Sequence, residues 1–195
     1  NITELRYGEN PHQKGRYFGN FDDCFKQING KEISYNNLLD IDSSINLLRD
    51  IVSEKAIFLI HKHNNPCGVA IRDTLFEAYN DSLACDNISA FGGILTTNKI
   101  IDENTANKIN ELFFEILIAP DFEDGALEVL KSKKNRIILK LNKIPKGNIQ
   151  RRTCLNGELE QDFDAKTETF DDFRVVTNIS PDINKANDLV LASTI

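Results

Sequence analysis

The sequence predicts an α/β fold: a three-layer α/β/α lobe around a mostly parallel sheet. Three observations predict it. Short apolar runs at Ala56–Ile60, Ile116–Ala119 and Ile137–Leu139 alternate with segments whose apolar residues recur every three or four positions. The runs are near-continuous, as strands buried on both faces are. Turn residues separate the segments, with no internal repeat and no Pro/Ser-rich linker.

Taken in order, residues 1–37 are rich in Gly, Asn and aromatics, with short candidate strands at Gly15–Phe18 and Phe25–Ile28 and a turn at Asn29-Gly30. Leu38, Ile41, Ile45, Leu48 and Val52 fall on one face of an amphipathic helix. The strand Ala56–His61 follows, and Asn64-Asn65-Pro66-Cys67-Gly68 reads as a turn. Asp73 is the expected N-cap of a helix carrying Phe76, Tyr79 and Leu83. Ser89–Thr96 is a Gly-marked loop running into a strand. Asp102 caps a helix with Ala106, Ile109, Leu112 and Phe113 inward. Ile116–Ala119 is a short apolar strand, stopped by Pro120. Asp124–Ser132 is helical with Leu127 and Leu130 inward, and Arg136–Leu141 is again a strand. Beyond Pro145 the expectation is a hairpin around Asn156-Gly157, a loop over 164–172, a strand Arg174–Thr177, and a helix opened by Ser180 and Pro181 with Ile183, Ala186, Leu189 and Val190.

Composition narrows the function. The formal net charge of −7 argues against nucleic-acid binding as a whole-protein role, while leaving room for a local basic pocket that takes one phosphate. No stretch reaches the roughly 18 consecutive apolar residues of a membrane span, so no membrane partner is expected. The opening residues 1–13 are polar and charged, without a secretory pattern. Cys24, Cys67, Cys85 and Cys154 are widely spaced and form no Cys-x-x-Cys pair, which fits reduced thiols in the cytoplasm. Methionine is absent, and the last helix is still apolar at Leu191 and Ala192. Both predict a piece of a longer polypeptide.

The chemistry-bearing run is His61-Lys62-His63-Asn64-Asn65-Pro66-Cys67-Gly68, delivered by a buried strand to a turn. Ligands of open α/β sheets bind at the carboxyl edges of strands. Three readings stand side by side. His61 and His63, two apart, would share one face of a strand and pair on a metal, which needs a third and fourth ligand. Alternatively, one imidazole is a general base, held neutral by the adjacent ammonium of Lys62, which also stabilises an oxyanion. Finally, all three are ordinary surface residues at a strand end. Cys67 reads as a small buried thiol rather than a nucleophile. Arg6 can clamp a phosphate and Tyr7 can stack on a heterocycle, or both belong to a structured entry loop. Gly92 in Phe91-Gly92-Gly93 lets backbone approach a ligand, or simply makes a tight turn. Glu115 binds ligand hydroxyls or amines, or ends a solvated helix.

Five motifs occur in one order: Leu5-Arg6-Tyr7-Gly8-Glu9-Asn10-Pro11-His12-Gln13, Lys31-Glu32-Ile33-Ser34-Tyr35-Asn36-Asn37-Leu38-Leu39-Asp40, Lys62-His63-Asn64-Asn65-Pro66-Cys67-Gly68-Val69-Ala70, Ser89-Ala90-Phe91-Gly92-Gly93-Ile94 and Ile116-Leu117-Ile118-Ala119-Pro120. In this the chain resembles the AICAR transformylase domain of the bifunctional AICAR transformylase/IMP cyclohydrolase family, from its first residues to its last. The resemblance implies formyl transfer from the co-substrate 10-formyltetrahydrofolate to the 5-amino group of AICAR, giving formyl-AICAR on the way to IMP in purine biosynthesis. It implies His63 as general base and Lys62 as transition-state stabiliser. Arg6, Tyr7, Gly92 and Glu115 are implied substrate contacts. It also implies a cytidine-deaminase-like lobe without a catalytic metal, and a homodimer.

On this reading residues 1–195 are the first lobe of the transformylase domain. The cyclohydrolase domain and the second lobe, which supplies the folate contacts, lie outside the chain, so the chain alone is expected to be inactive. His61 stands where relatives usually carry an apolar residue. Two other functions remain open: a non-catalytic nucleotide-binding or assembly module, and a metal-dependent hydrolase using His61 and His63.

Overall fold

Five consecutive apolar residues, Ala56–Ile60, offer water no polar side chain, so their strand has to lie inside a sheet. In the structure, a computed structural model that describes residues 1–145 and 147–195, that is where it lies. The strand β4 (Ala56–Lys62) sits between two neighbours in a six-stranded sheet. The chain divides into two compact units, Asn1–Ile144 and Pro145–Ile195, and the sheet belongs to the first.

The first unit opens with β1 (Ile2–Leu5) and β2 (Gly15–Phe18), an antiparallel pair of their own. Then come β3 (Phe25–Asn29), α1 (Tyr35–Asp50), β4, β5 (Asn65–Arg72), α2 (Leu75–Cys85), β6 (Gly93–Thr97), α3 (Glu103–Ile109), β7 (Phe114–Ala119), α4 (Asp124–Leu130) and β8 (Ile137–Leu141). The main sheet has the order β3-β8-β7-β6-β4-β5. Parallel pairing joins β6 to β7 and β7 to β8. β3 runs against β8, and β4 runs against both β5 and β6. The sheet is therefore mixed but mostly parallel, with β5, β6, β7 and β8 sharing one direction.

Strand alternation sorts the core into two layers. Phe58 and Ile60 join Leu95, Leu117 and Ile138 in a cluster with Ala78 and Tyr79 of α2, Ala106 and Ile109 of α3, and Ala126 and Leu130 of α4. Ile57 and Leu59, also fully buried, point to the opposite face, where α1 packs on β4 and β6 through Ile41, Ile45 and Leu48. A buried hydroxyl pair, Ser44 Oγ to Thr96 Oγ1 at 2.6 Å, joins α1 to β6 and satisfies both groups. The predicted three-layer α/β/α arrangement is the one observed.

Several local expectations shift. Helix α1 starts earlier, at a capping box in which Ser34 and Asn37 exchange side-chain and backbone bonds. It ends before Val52, which is exposed. The segment read as a turn over 64–68 is mostly strand β5. Pro66 is tolerated there because β5 is the sheet's edge, and a bulge sets Cys67 opposite the Ile60–His61 step. Gly68 is required for packing, because a Cβ there would run into the Ser82 carbonyl of α2. Thr74, not Asp73, caps α2, accepting from the Glu77 amide while Glu77 reaches back. Asp102 caps α3 as expected, accepting from the Thr105 amide.

In the second unit the expected hairpin forms, as β9 (Ile149–Cys154) and β10 (Gly157–Asp162). A short 3-10 turn at Phe170–Asp172 interrupts the expected loop. Arg174–Thr177 is exposed and makes no strand. Helix α5 (Ile183–Thr194) is capped by Asp182 rather than opened by Ser180. Of its apolar residues Ala186 is buried, whereas Ile183 and Leu189 are exposed.

Phe58 lies fully buried with its ring edge-on to Tyr79, centroids 5.1 Å apart. Phe58→Ala opens a cavity in the centre of the sheet and is expected to lower stability by about 3–5 kcal/mol. The shift of the urea midpoint measures it.

Candidate active site

The hairpin that joins β4 to β5 has a two-residue loop, His63-Asn64, and both residues take positive φ, 53° and 63°. That is the tight turn whose twist matches its strands, and Asn is at home in it. For both side chains the region is uncommon, and two such residues in succession need their surroundings to hold them there. Helix α1 does so from both sides of one residue. Asp40 Oδ1 accepts from the Asn64 amide at 2.7 Å, and Ser43 Oγ donates to the Asn64 carbonyl at 2.9 Å. Asn65 Nδ2 donates to the His63 carbonyl at 2.9 Å.

Lys62, the last residue of β4, is half-buried. Its Nζ donates to the Phe91 carbonyl at 2.7 Å. The next residue, Gly92, has φ 75° and donates its amide to the Phe113 carbonyl. Lys62 is thereby tethered to the loop that enters β6. Glu115, second residue of β7, accepts from Nδ2 of the buried Asn37 at 3.2 Å and lies 3.7 Å from Lys31 Nζ. Arg6 stacks over the Tyr7 ring at 5.6 Å. Their loop is fastened to the start of α1 by Asn36 Nδ2, which donates to the Glu9 carbonyl.

These pieces surround one cavity of about 270 Å3, lined by Arg6, Tyr7, Lys62, His63, Gly92 and Glu115. The six residues implied as catalytic or substrate contacts thus meet in one place, while His61 and Cys67 do not line it. Sequence reasoning missed Lys31, Ser34, Asn37 and Asp40 on the same walls. They lie within the motif Lys31–Asp40, but no local chemistry distinguishes them from an ordinary helix start.

The site's place in the sheet departs from expectation. It lies at the carboxyl end of β4 but at the amino ends of β6 and β7, because β4 runs antiparallel to β6.

His61 and His63 do not form a pair. The side chain of His61 is inside the protein, 1% exposed, whereas His63 is exposed in the turn. The backbone leaves the strand conformation between them, so the two-residue alternation no longer applies. Among the described residues no group of three or more His, Cys, Asp and Glu is placed to hold a metal ion. Cys67 donates to the Ile60 carbonyl, and burial, with Asp86 nearby, pushes its thiol pKa up. At neutral pH it is a protonated thiol.

Comparison with known proteins follows the same lines. The family model for the AICARFT/IMPCHase bienzyme matches residues 1–195. A bifunctional purine biosynthesis protein PurH from Bacteroides thetaiotaomicron is 53% identical over 197 residues, covering 100% of this chain and 38% of its own length. Proteins of the same name from Pelodictyon phaeoclathratiforme and Acetivibrio thermocellus are 41% and 40% identical, covering 97% and 98% of this chain and 38% and 39% of their own lengths. The chain therefore spans about two fifths of the curated relatives it matches.

Burial without a hydrogen bond to Nδ1 holds the His61 imidazole neutral and pulls its pKa down to about 4. In the unfolded chain the ordinary value is about 6.5. Between those values the unfolded chain takes up a proton that the folded chain refuses. Stability therefore falls as pH drops from about 6.5 toward 4. His61→Leu removes this contribution, so urea midpoints measured across that range are expected to slope less steeply than in the parent protein. An unchanged slope would assign the acid sensitivity to other groups.

Six residues singled out by chemistry and motif line one cavity, and the family model spans residues 1–195: the chain belongs to the AICARFT/IMPCHase bienzyme family.

Proposed function

We propose that this chain is the first lobe of an AICAR transformylase domain and acts in purine biosynthesis. Its cavity would hold AICAR while a formyl group arrives from 10-formyltetrahydrofolate. The observation that carries this reading is the convergence of Lys62, His63, Arg6, Tyr7, Gly92 and Glu115 on one cavity. The PurH name of the relatives supports the pathway, and the match to the bienzyme family supports the reaction.

The reaction joins the 5-amino nitrogen to the formyl carbon and breaks the bond between that carbon and the folate nitrogen. The amine loses a proton, and the departing folate nitrogen gains one. His63 is the base for the first proton. It is exposed at the cavity wall, where a substrate amine can reach a ring nitrogen. Lys62 supplies positive charge where the carbonyl oxygen becomes negative. Its tether to the Phe91 carbonyl sets the ammonium beside Gly92, whose backbone would contact AICAR. Arg6 offers a planar cation to the phosphate and Tyr7 a ring to the nucleotide. Glu115, already accepting from Asn37, would take an amine or hydroxyl of the substrate. The folate contacts are expected from parts of the full-length protein beyond this chain, and a homodimer and a cytoplasmic location belong to the same proposal.

The competing reading is a nucleotide-binding or assembly module without chemistry. His63→Ala in the full-length protein separates the two. Loss of a general base is expected to lower kcat by about 10²–10⁴-fold, with AICAR affinity nearly unchanged. Unchanged turnover would leave only binding or assembly.

A further inference from the structure

A second cavity, of about 550 Å3, lies at the amino ends of β7 and β8, between the loop before β7 and the loop before β8. It shares Lys31 and Glu115 with the candidate active site, so that pair stands between the two spaces. In a chain of net charge −7, its walls carry four cations, Lys31, Lys133, Lys134 and Arg136, against two carboxylates, Glu111 and Glu115. Both carboxylates are engaged: Glu111 accepts from Lys108 at 2.6 Å, and Glu115 faces Lys31. Among the described residues, Lys133, Lys134 and Arg136 have no carboxylate within ion-pair distance.

Arg136 makes this more than a patch of surface lysines. It is 5% exposed, yet its counter-charge is missing. Burying a guanidinium is costly unless it is paired and hydrogen-bonded. Here the ring of Phe114 lies 4.2 Å away, and both hydrogen bonds leave from Nη1, to Asn110 Oδ1 at 2.8 Å and to the Leu130 carbonyl at 3.2 Å. The rest of the planar fork, which suits carboxylate and phosphate oxygens, is not committed to a protein anion. Lys133 and Lys134 stand exposed on the same rim.

We infer that this cavity is an anion-binding subsite for a small molecule with clustered carboxylate or phosphate groups. Arg136 supplies the fixed, partly desolvated cation, and Lys133 and Lys134 supply flexible charge at the mouth. The subsite does not depend on the formyl-transfer reading.

Titration calorimetry of the protein at low salt, with tripolyphosphate and separately with a triglutamate peptide, tests it. Saturable one-to-one binding of at least one anion is expected, and the stronger of the two tells whether phosphate or carboxylate is preferred. Lys133→Gln/Lys134→Gln, a change at exposed positions, is expected to weaken binding about tenfold or more. Lys14→Gln/Lys26→Gln makes the same charge change at positions that do not line the cavity and is expected to leave binding nearly intact. His63→Ala is expected to leave it intact as well, which keeps this result separate from the fate of the catalytic reading. No saturable binding of either anion, or equal weakening by both lysine pairs, would overturn the subsite.

Discussion

The site depends on one constraint: two consecutive left-handed residues have to be held at the tip of a hairpin. His63 and Asn64 reverse the chain in the fewest residues an antiparallel pair allows. Two successive positive-φ residues carry a conformational cost, and Asp40 and Ser43 offset it by gripping Asn64 from α1. If the turn relaxed, Lys62 and His63 would both lose their aim. The register of β5 would also slip, carrying Gly68 away from the one place where α2 can approach so closely. The core layer beneath α1 and the exposed imidazole are thus coupled through three residues of one helix and one turn.

That coupling explains how neighbouring histidines acquire opposite characters. His61 faces the α1 layer, opposite Ile94 across the β4–β6 pair, and is sealed there. Two residues later the chain has left the sheet, and His63 meets the cavity. Burial removes the His61 imidazole from proton chemistry at neutral pH, while the His63 side chain stays exposed at the cavity wall. The same step separates Cys67, a thiol bonded to backbone, from the polar wall made by Lys62.

Much of this was legible in the sequence, for physical reasons that can be named. Ala56–Ile60, Ile116–Ala119 and Ile137–Leu139 have no polar face, so they could only be interior strands. Ile41, Ile45 and Leu48 have helical spacing and could only cover one of the sheet's faces. Strand β5 was not legible, because Pro66 and Gly68 carry turn signals whose meaning reverses on an edge strand that a helix approaches closely. The direction of β4 was hidden for the same reason: a tight hairpin, rather than a helical crossover, follows it. Residues Lys62, His63, Arg6, Tyr7, Gly92 and Glu115 announced themselves by chemistry or by motif. Asn37 and Asp40 did not, since each looks like a common residue near a helix start and gains its role only from what α1 faces.

Glu115 shows how closely binding and architecture are joined here. It is the second residue of a strand otherwise buried, and its carboxylate is half-buried at the strand's mouth. An unpaired carboxylate there would lose much of its hydration, so the fold surrounds it with Asn37 from α1 and Lys31 from the segment before it. Those partners come from the motif that also caps α1 and grips the turn. Under the proposed function, a substrate amine reaching Glu115 would compete with Lys31 at 3.7 Å, a loose contact, more easily than with the Asn37 amide. Lys31 released from Glu115 would add its charge to the neighbouring cationic cavity. The two spaces share Lys31 and Glu115 in their walls, so the 3.7 Å contact between these residues stands at their boundary.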